Sequence, residues 1–547
     1  MSWQADQAVV RGRQAEARNA WPAAQAAYAE ALARWPQASA LWLAHGLAAC
    51  RAGDFAAARV SLDLALRAQP GAVAGWAALA QACARSGDPA AAHQALLHAI
   101  RLDPDSVALR ANHASVLREL GDIAAARAEL DVALRLAPDD VAARYNLGNL
   151  LLDEGDEAGA EAAYRAVLVN APRHVGSRYN LGCIARRRGE ITFAMACFDE
   201  VLALQPDHAD AWHNLAGCRR ALGDWDGARA GYQRALALGE PVLARYALGT
   251  LDLLQGRWAD GWEGYEARWA ACGLTPPSLP LPAWQGEVVP AGARLLVYAE
   301  QGYGDLLQFA RFLAPLRARF AAVTLACPPA VSRLLAHSLE GVTVLDHLPP
   351  PADFTHAVAL MSLARVLRID EARLRDTAAP YLRAPAHGGA WTDGGRGPGL
   401  NVGLCWTGNP AQRDNLWRSV PLGLLRSLQQ IPGITWHNLQ QGKGEQARAA
   451  GFALRDASGD WRDFADTAAY LGNLDLVITA CTSVAHLAGG LGVPVWLVSR
   501  YDADWRWLLA REDSPWYLSM RIWRQPSPGN WQGALDGVAD ALRRLAH

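Results

Sequence analysis

Three things are scarce in this sequence, and each scarcity removes a class of function. Its nine cysteines, scattered from Cys50 to Cys481, are odd in number and never form a CxxC pair, so no disulfide framework is expected and a reducing compartment suits them. No run of about 18 apolar residues occurs. The opening MSWQADQAVVRGRQAEARNAW has neither an apolar core nor a cleavage site, so a cytoplasmic chain without membrane insertion is expected. Positive charge is not in excess either: Lys plus Arg number 52 against 54 Asp plus Glu, a formal charge of -2. That leaves no global field to attract nucleic acid.

What is present is a foldable chain in more than one part. With 547 residues, 51% hydrophobic and 19% charged, it exceeds what one core usually supports, and two or three domains are expected. Prolines stand at 36, 70, 104, 138, 172 and 206, and glycines at 53, 87, 121, 155, 189 and 223, both series advancing by 34 residues. This is the tetratricopeptide period, with two amphipathic helices per unit. A small residue holds the close-contact position of each first helix, at Gly46, Ala80, Ala114, Gly148, Gly182 and Ala216. Gly12 with Pro36 marks a degenerate leading copy, and Gly249 and Gly256 a trailing one. About seven repeats are expected over residues 1–270, stacked as an α-solenoid.

Asn112, Asn146, Asn180 and Asn214 share the 34-residue spacing, each two residues before the small contact residue. Two readings stand for them. Either they satisfy neighbouring backbone, or they form a line of carboxamides able to hold the backbone of an extended protein substrate. Ala78 and Ala247 at the flanking equivalents confine that line to the middle of the array.

The repeat period stops at a proline-rich stretch, Pro276 to Ala293. Short β-rich runs then alternate with helical segments: RLLVYAE, AAVTLACP, FTHAVAL, NVGLCWTG, ITWHNLQ, LDLVITA and PVWLVS. This is the pattern of parallel sheets covered by helices. A break at APAHGGAWTDGGRGPG divides the half in two. The expected organisation is α plus α/β: repeats over 1–270, a linker over 271–293, and Rossmann-like domains over 294–385 and 400–547. Two such domains facing across a cleft commonly bind a nucleotide-linked substrate.

Three clusters in this half carry candidate chemistry. In EQGYGDLLQFARFL, Gly302 and Gly304 are read as permitting a tight turn. Asp305 opens a helix, either as its cap or as a carboxylate offered to the mouth of the sheet as a general base. In VITACTSVAHLAGGLG, Thr482 and Ser483 open a helix whose free N–H groups favour an anion, or they simply cap it. His486 either donates to a phosphate or is an interior histidine. In NPAQRDNLWRSVP, Arg413 and Arg418 lie at the carboxyl end of a strand, where a guanidinium neutralises phosphate. The 22 tryptophans mostly pack. Among those near the C-terminus stand Arg506, Arg511, Arg521 and Arg524, any one of which is a candidate ligand for a carboxylate.

Together EQGYGDLLQFAR, VGLCWTGNP, RSVPL, LQQGKG, FADTAAYLGNLDLVI, CTSVAHLAGGLGVPVW and DWRWLLAREDSPWY resemble bacterial tetratricopeptide proteins fused to a heptosyltransferase-like glycosyltransferase of the GT-B fold, the flagellin glycosyltransferase type. The resemblance implies an inverting, metal-independent enzyme without a resident cofactor. It assigns the catalytic base to Asp305, donor phosphate contacts to Thr482, Ser483 and Arg418, and a position close to the nucleotide to Gln440. The asparagines likewise resemble the ladder of the tetratricopeptide-bearing O-linked N-acetylglucosamine transferases of eukaryotes. One departure stands out: Cys481 occupies the place of an Asp that contacts the donor sugar in heptosyltransferases. Loss of that carboxylate removes a repulsion against an acidic sugar. The expectation is therefore transfer from a CMP-linked nonulosonic acid, such as pseudaminic or legionaminic acid, to Ser or Thr of flagellin recruited by the repeats. Two alternatives stand beside it: a heptosyltransferase-like enzyme acting on lipopolysaccharide or another glycan, and a catalytically degenerate repeat adaptor.

Overall fold

A computed structural model describes residues 3–239, 241–377, 380–385, 396–409 and 415–546. The chain divides into two compact units, Met1–Pro206 and Asp207–His547.

The first unit is a helical solenoid of six helix pairs, from Gln7–Ala17 to Ile191–Leu204, each helix packing on its predecessor and successor. The sequence prescribes each joint. Gly53, Gly87, Gly121, Gly155 and Gly189 take φ between 75° and 85°, the left-handed conformation that ends the first helix of a pair and that other residues adopt only at a cost. The next residue caps the second helix: the carboxylates of Asp54, Asp88, Asp122 and Asp156 accept from the backbone N–H three residues on. A Cβ on Gly148 would lie 2.5 Å from the Tyr164 ring, and one on Gly182 2.8 Å from Phe198, so the small contact residues are set by helix proximity. Four positions before each contact residue, Trp42 and Trp76 donate their indole N–H, and Arg110, Arg144 and Arg178 a guanidinium N–H, to the carbonyl of the proline six residues back. This satisfies a carbonyl left over where the preceding helix stops.

The second unit begins with two further pairs, Ala209–Ala221 with Trp225–Ala237 and Val242–Leu254 with Trp258–Tyr265. Eight pairs therefore stand among the described residues against about seven expected; the second helix of the seventh has 13 residues where the earlier ones have 14, which brings the markers of the eighth one residue early. Its side chains belong to the core of the C-terminal half. Leu251, Leu254, Trp258, Trp262 and Tyr265 are buried in one cluster with Leu295, Leu307, Phe309 and Trp516, which is why the division falls inside the repeats and not at the proline-rich stretch. That stretch is no free linker either: Ala283 bridges to Ala357, Trp284 donates its backbone N–H to the Ala357 carbonyl, and its ring is buried.

Two parallel sheets complete the unit. The first contains β1 (Arg294–Tyr298), β2 (Ala322–Ala326), β3 (Thr343–Leu345) and β4 (His356–Ala359) in the order β3-β2-β1-β4. The second contains β5 (Leu400–Cys405), β6 (Ile434–Asn438), β7 (Leu476–Thr479), β8 (Val495–Ser499) and β9 (Met520–Arg524) in the order β6-β5-β7-β8-β9. All pairings between these strands are parallel. Strand order reverses beside β1 in the first sheet and between β5 and β7 in the second, and such switch points open a crevice at the carboxyl ends of the strands. β3 and β9 lie outside the seven runs read from the sequence. No helix among the described residues is long and apolar enough to cross a membrane.

Glu190 breaks the capping series: its backbone has φ -76° and ψ 59°, close to that of the capping aspartates, but its longer side chain makes no cap bond. Glu190→Asp is expected to raise stability by about 1 kcal/mol, seen as a higher urea midpoint of the helical transition followed by circular dichroism.

Candidate functional site

The helix Tyr303–Phe309 starts at the carboxyl end of β1, and Ser483–Leu491 starts at the carboxyl end of β7. The two helices pack together because Gly304 has no side chain: a Cβ there would lie 3.0 Å from the His486 ring and 3.5 Å from the Ser483 Cα. This corrects the expectation of a tight turn. Gly302 is extended, with φ -68° and ψ 163°, and neither Gly302 nor Gly304 has a positive φ; Gly304 serves close approach instead.

Asp305 makes the helix-start bond and also meets an arginine from the second sheet. Its Oδ2 accepts from the Gly302 backbone N–H at 3.1 Å, while Oδ1 accepts from Arg506 Nη2 in the loop beyond β8. Burial pushes its acidity toward higher pKa, opposed by the adjacent Arg506 charge. Arg506 is only 6% exposed, lies 4.1 Å over the Trp505 ring, and donates also to Gln308 Oε1 at 2.6 Å and Asp504 Oδ1 at 2.9 Å. Of the four candidate arginines near the C-terminus, Arg506 is the one bonded to Asp305. Arg511 is tied to Asp513 and Glu371, Arg521 to Glu512, and Arg524 to the carbonyls of Trp507 and Leu508.

The switch point of the second sheet holds the remaining candidates. The Thr482 hydroxyl makes no cap bond; it lies 3.2 Å from Thr479 Oγ1 and 3.6 Å from Cys405 Sγ, leaving the start of its helix to backbone N–H groups. Ser483 is its first residue and half-buried. Gln440 Oε1 accepts from the Thr407 N–H at 3.1 Å and from Cys405 at 3.3 Å, so its carbonyl end fastens the loop after β5. Asn415 orders the same loop, accepting from the Gly408 N–H at 2.9 Å and from Arg418 Nε at 3.3 Å. A Cβ on Gly408 would collide with Arg418 Nη2, so Arg418 lies against the loop after β5, and its charge is felt at Asp305, Cys405 and Cys481. Arg413 lies outside the described residues.

Two expectations are corrected here. His486 is an interior histidine: its Nδ1 lies 2.9 Å from the Tyr517 hydroxyl, its ring stacks on Trp507 at 5.3 Å, and burial holds it well below the usual imidazole range. As a neutral group it offers no charge to a phosphate. The loss of an acid at Cys481 does not clear the site of negative charge. Cys481 Sγ accepts from the Trp507 indole at 3.2 Å, and Asp504 is close enough to help burial raise the thiol to about 11. The DAD sequence Asp502-Ala503-Asp504 is the one local signal for this second carboxylate. Its aspartates meet Arg500 and Arg506, and no group of three or more His, Cys, Asp or Glu placed to hold a metal occurs among the described residues.

The asparagines are not equivalent. Asn146 Nδ2 donates to the Ala111 carbonyl at 2.8 Å, Asn180 Nδ2 to Asn149 Oδ1 at 3.0 Å, and Asn214 Nδ2 to the Asp210 carbonyl of its own helix at 2.9 Å. Three of the four amide groups therefore serve the repeats themselves. Asn112 is exposed. A different series, not apparent from the spacing of prolines and glycines, runs beside them: Tyr145, Tyr179, His213 and Tyr246 each pair with an aromatic 19 residues on, at centroid distances of 5.5 to 5.8 Å. Its last member, Tyr246, feels the charges of Arg506, Asp504 and Asp305, so the eighth helix pair lines the site.

Beneath the site, Glu300 Oε1 accepts from the fully buried Arg268 at 2.7 Å and from the Met361 N–H, while Oε2 has no partner. Burial raises its carboxyl from 4.5 to about 7. The native state therefore holds this proton more tightly than the unfolded chain, and the resulting stability is complete below pH 4.5 and lost as pH rises through about 7. Glu300→Gln is expected to flatten the decline in stability between these limits, measured as the difference in urea unfolding free energy at pH 5 and pH 8 between variant and parent.

Comparison with known proteins finds a tetratricopeptide repeat family model matching residues 9–73, 112–174 and 179–242, and a second tetratricopeptide repeat model matching 73–116. Protein FlbA of Caulobacter vibrioides is 28% identical over 335 residues, 56% of this chain and 55% of FlbA, so the chain spans about half the length of this curated relative. Among solved structures, a tetratricopeptide repeat protein from Parabacteroides merdae is 16% identical with a TM-score of 0.39, covering 44% of this chain and 96% of its own. PilW, a widely conserved type IV pilus biogenesis factor, is 22% identical with a TM-score of 0.33, covering 37% of this chain and 93% of its own. The chain is a tetratricopeptide-repeat-containing protein.

Proposed function

We propose that the chain is an inverting glycosyltransferase of GT-B type that moves a sugar from a nucleotide donor to a Ser or Thr hydroxyl of a protein recruited by its repeats. The observation that supports this best is the meeting of Asp305, at the carboxyl end of the first sheet, with Arg506 and the Ser483 helix start, at the carboxyl ends of the second. A base on one side and anion-stabilising groups on the other are what a single displacement at an anomeric carbon requires. As the acceptor oxygen bonds to that carbon, its proton passes to Asp305. The bond from carbon to phosphate oxygen breaks, and the leaving charge falls to the free N–H groups at Ser483 and to Arg418.

The donor in this proposal is a CMP-linked nonulosonic acid and the acceptor is flagellin. Cys481, bonded to the Trp507 indole, supports an acidic sugar at that position. Asp504 opposes one unless Arg506 lies between, as its bond to that carboxylate allows. The test is incubation of the purified chain with flagellin and CMP-pseudaminic or CMP-legionaminic acid, read by intact mass. An adduct from a UDP- or ADP-sugar alone would refute the donor. Asp305→Asn is expected to abolish transfer without loss of donor binding; loss of binding would reduce Asp305 to a helix cap.

A further inference from the structure

The bond between Asp305 and Arg506 uses one lone pair of Oδ1 and sets a positive charge beside the carboxylate, which weakens it as a base. Arg506 has a permanent partner in Asp504, two residues away, whose carboxylate accepts both from Arg506 Nη1 and from the Arg506 backbone N–H at 3.0 Å. Asp305 is its distant partner, from the other sheet, and is separately anchored by the Gly302 N–H. Gln308, fully buried, gives its carbonyl oxygen to Arg506 Nε, while its own Nε2 has no acceptor. The cluster therefore joins an orphan donor to a guanidinium whose Nη2 is held by the one group needed elsewhere. A buried N–H without an acceptor is costly, and an incoming oxyanion would supply acceptors to both.

We propose that Arg506 is the ligand for an oxyanion group of the activated sugar, and that binding there displaces Asp305 and frees its carboxylate to act as the base. This rests on the glycosyltransferase reading. The oxyanion accepts from Arg506 Nη2 in place of Asp305 Oδ1, and Asp504 keeps its bond to Nη1. Asp305, still anchored at Gly302, then loses its neutralising partner in a desolvated position, which strengthens it as a base. Before donor binds, the Arg506 charge keeps Asp305 a weaker base, so a hydroxyl arriving first is activated less.

The oxyanion is either a phosphate oxygen or the carboxylate of an acidic sugar, and two probes separate these: inorganic pyrophosphate and N-acetylneuraminate, titrated calorimetrically into the full chain. The probe that matches the source is expected to lose at least about tenfold in affinity in Arg506→Gln, the size of one charge-assisted hydrogen bond. It is expected to gain about three- to tenfold in Asp305→Asn, which removes the competitor. A static staple between the sheets predicts no gain. Unchanged affinity in Arg506→Gln, Arg506-independent binding of both probes, or unchanged or weaker binding in Asp305→Asn each overturns the proposal. Should Arg506→Gln fail to fold, Asp305→Asn decides alone. Sugar transfer in a protein showing no gain in Asp305→Asn would sink the displacement and leave the transferase standing. The expected pair of shifts in a protein that transfers no sugar would do the reverse.

Discussion

A guanidinium taken out of water has to be met on every side, and Arg506 is where this molecule meets that demand. Removing an ion from water costs several kcal/mol, offset only when its hydrogen bonds are made and its faces packed. Here the edge is met by Asp305, Gln308 and Asp504 and one face by Trp505. Trp505 sits in turn among Trp262, Tyr265 and Trp516, with centroids 5.3 to 5.9 Å away. These rings come from the last helix pair and from the loop before β9, so the position of one charge depends on the eighth repeat, the first sheet and the second sheet together.

A second buried arginine repeats the arrangement one layer down. Arg268, just past the last repeat, bonds Glu300, Glu266 and Ser362, which binds the end of the repeat array to the carboxyl end of β1. The last pair is thus part of the site's wall. Tyr246 continues the aromatic series of the solenoid yet reaches the charges of the site.

The asparagines show what regular spacing leaves undetermined. A 34-residue interval fixes where a side chain stands on its helix and leaves open what it bonds. In this chain the neighbours differ: a carbonyl for Asn146, another asparagine for Asn180, its own helix for Asn214. Where the partner is itself part of the repeat, as for the capping aspartates and the arginines that reach back to proline carbonyls, spacing does specify the bond.

The repeats, their turns and caps, seven of the nine strands and the three clusters of candidate residues were written in the sequence, because each rests on local chemistry or on a short period. β3 was not, being a three-residue strand, nor was β9, whose alternation in MRIWR is lost among tryptophans and arginines that read as general packing. The sequence brought Arg506, Arg511, Arg521 and Arg524 forward as equals and left Asp305 undecided between cap and base. Only the tertiary structure set Arg506 apart, because its bond to Asp305 spans 201 residues. It also placed His486 as a buried neutral imidazole against Tyr517 and Trp507, and returned a carboxylate beside Cys481 through Asp504. Local pattern specifies the elements and the residues at their ends; which charges face each other is decided by how two sheets and the last repeat close on one buried ion.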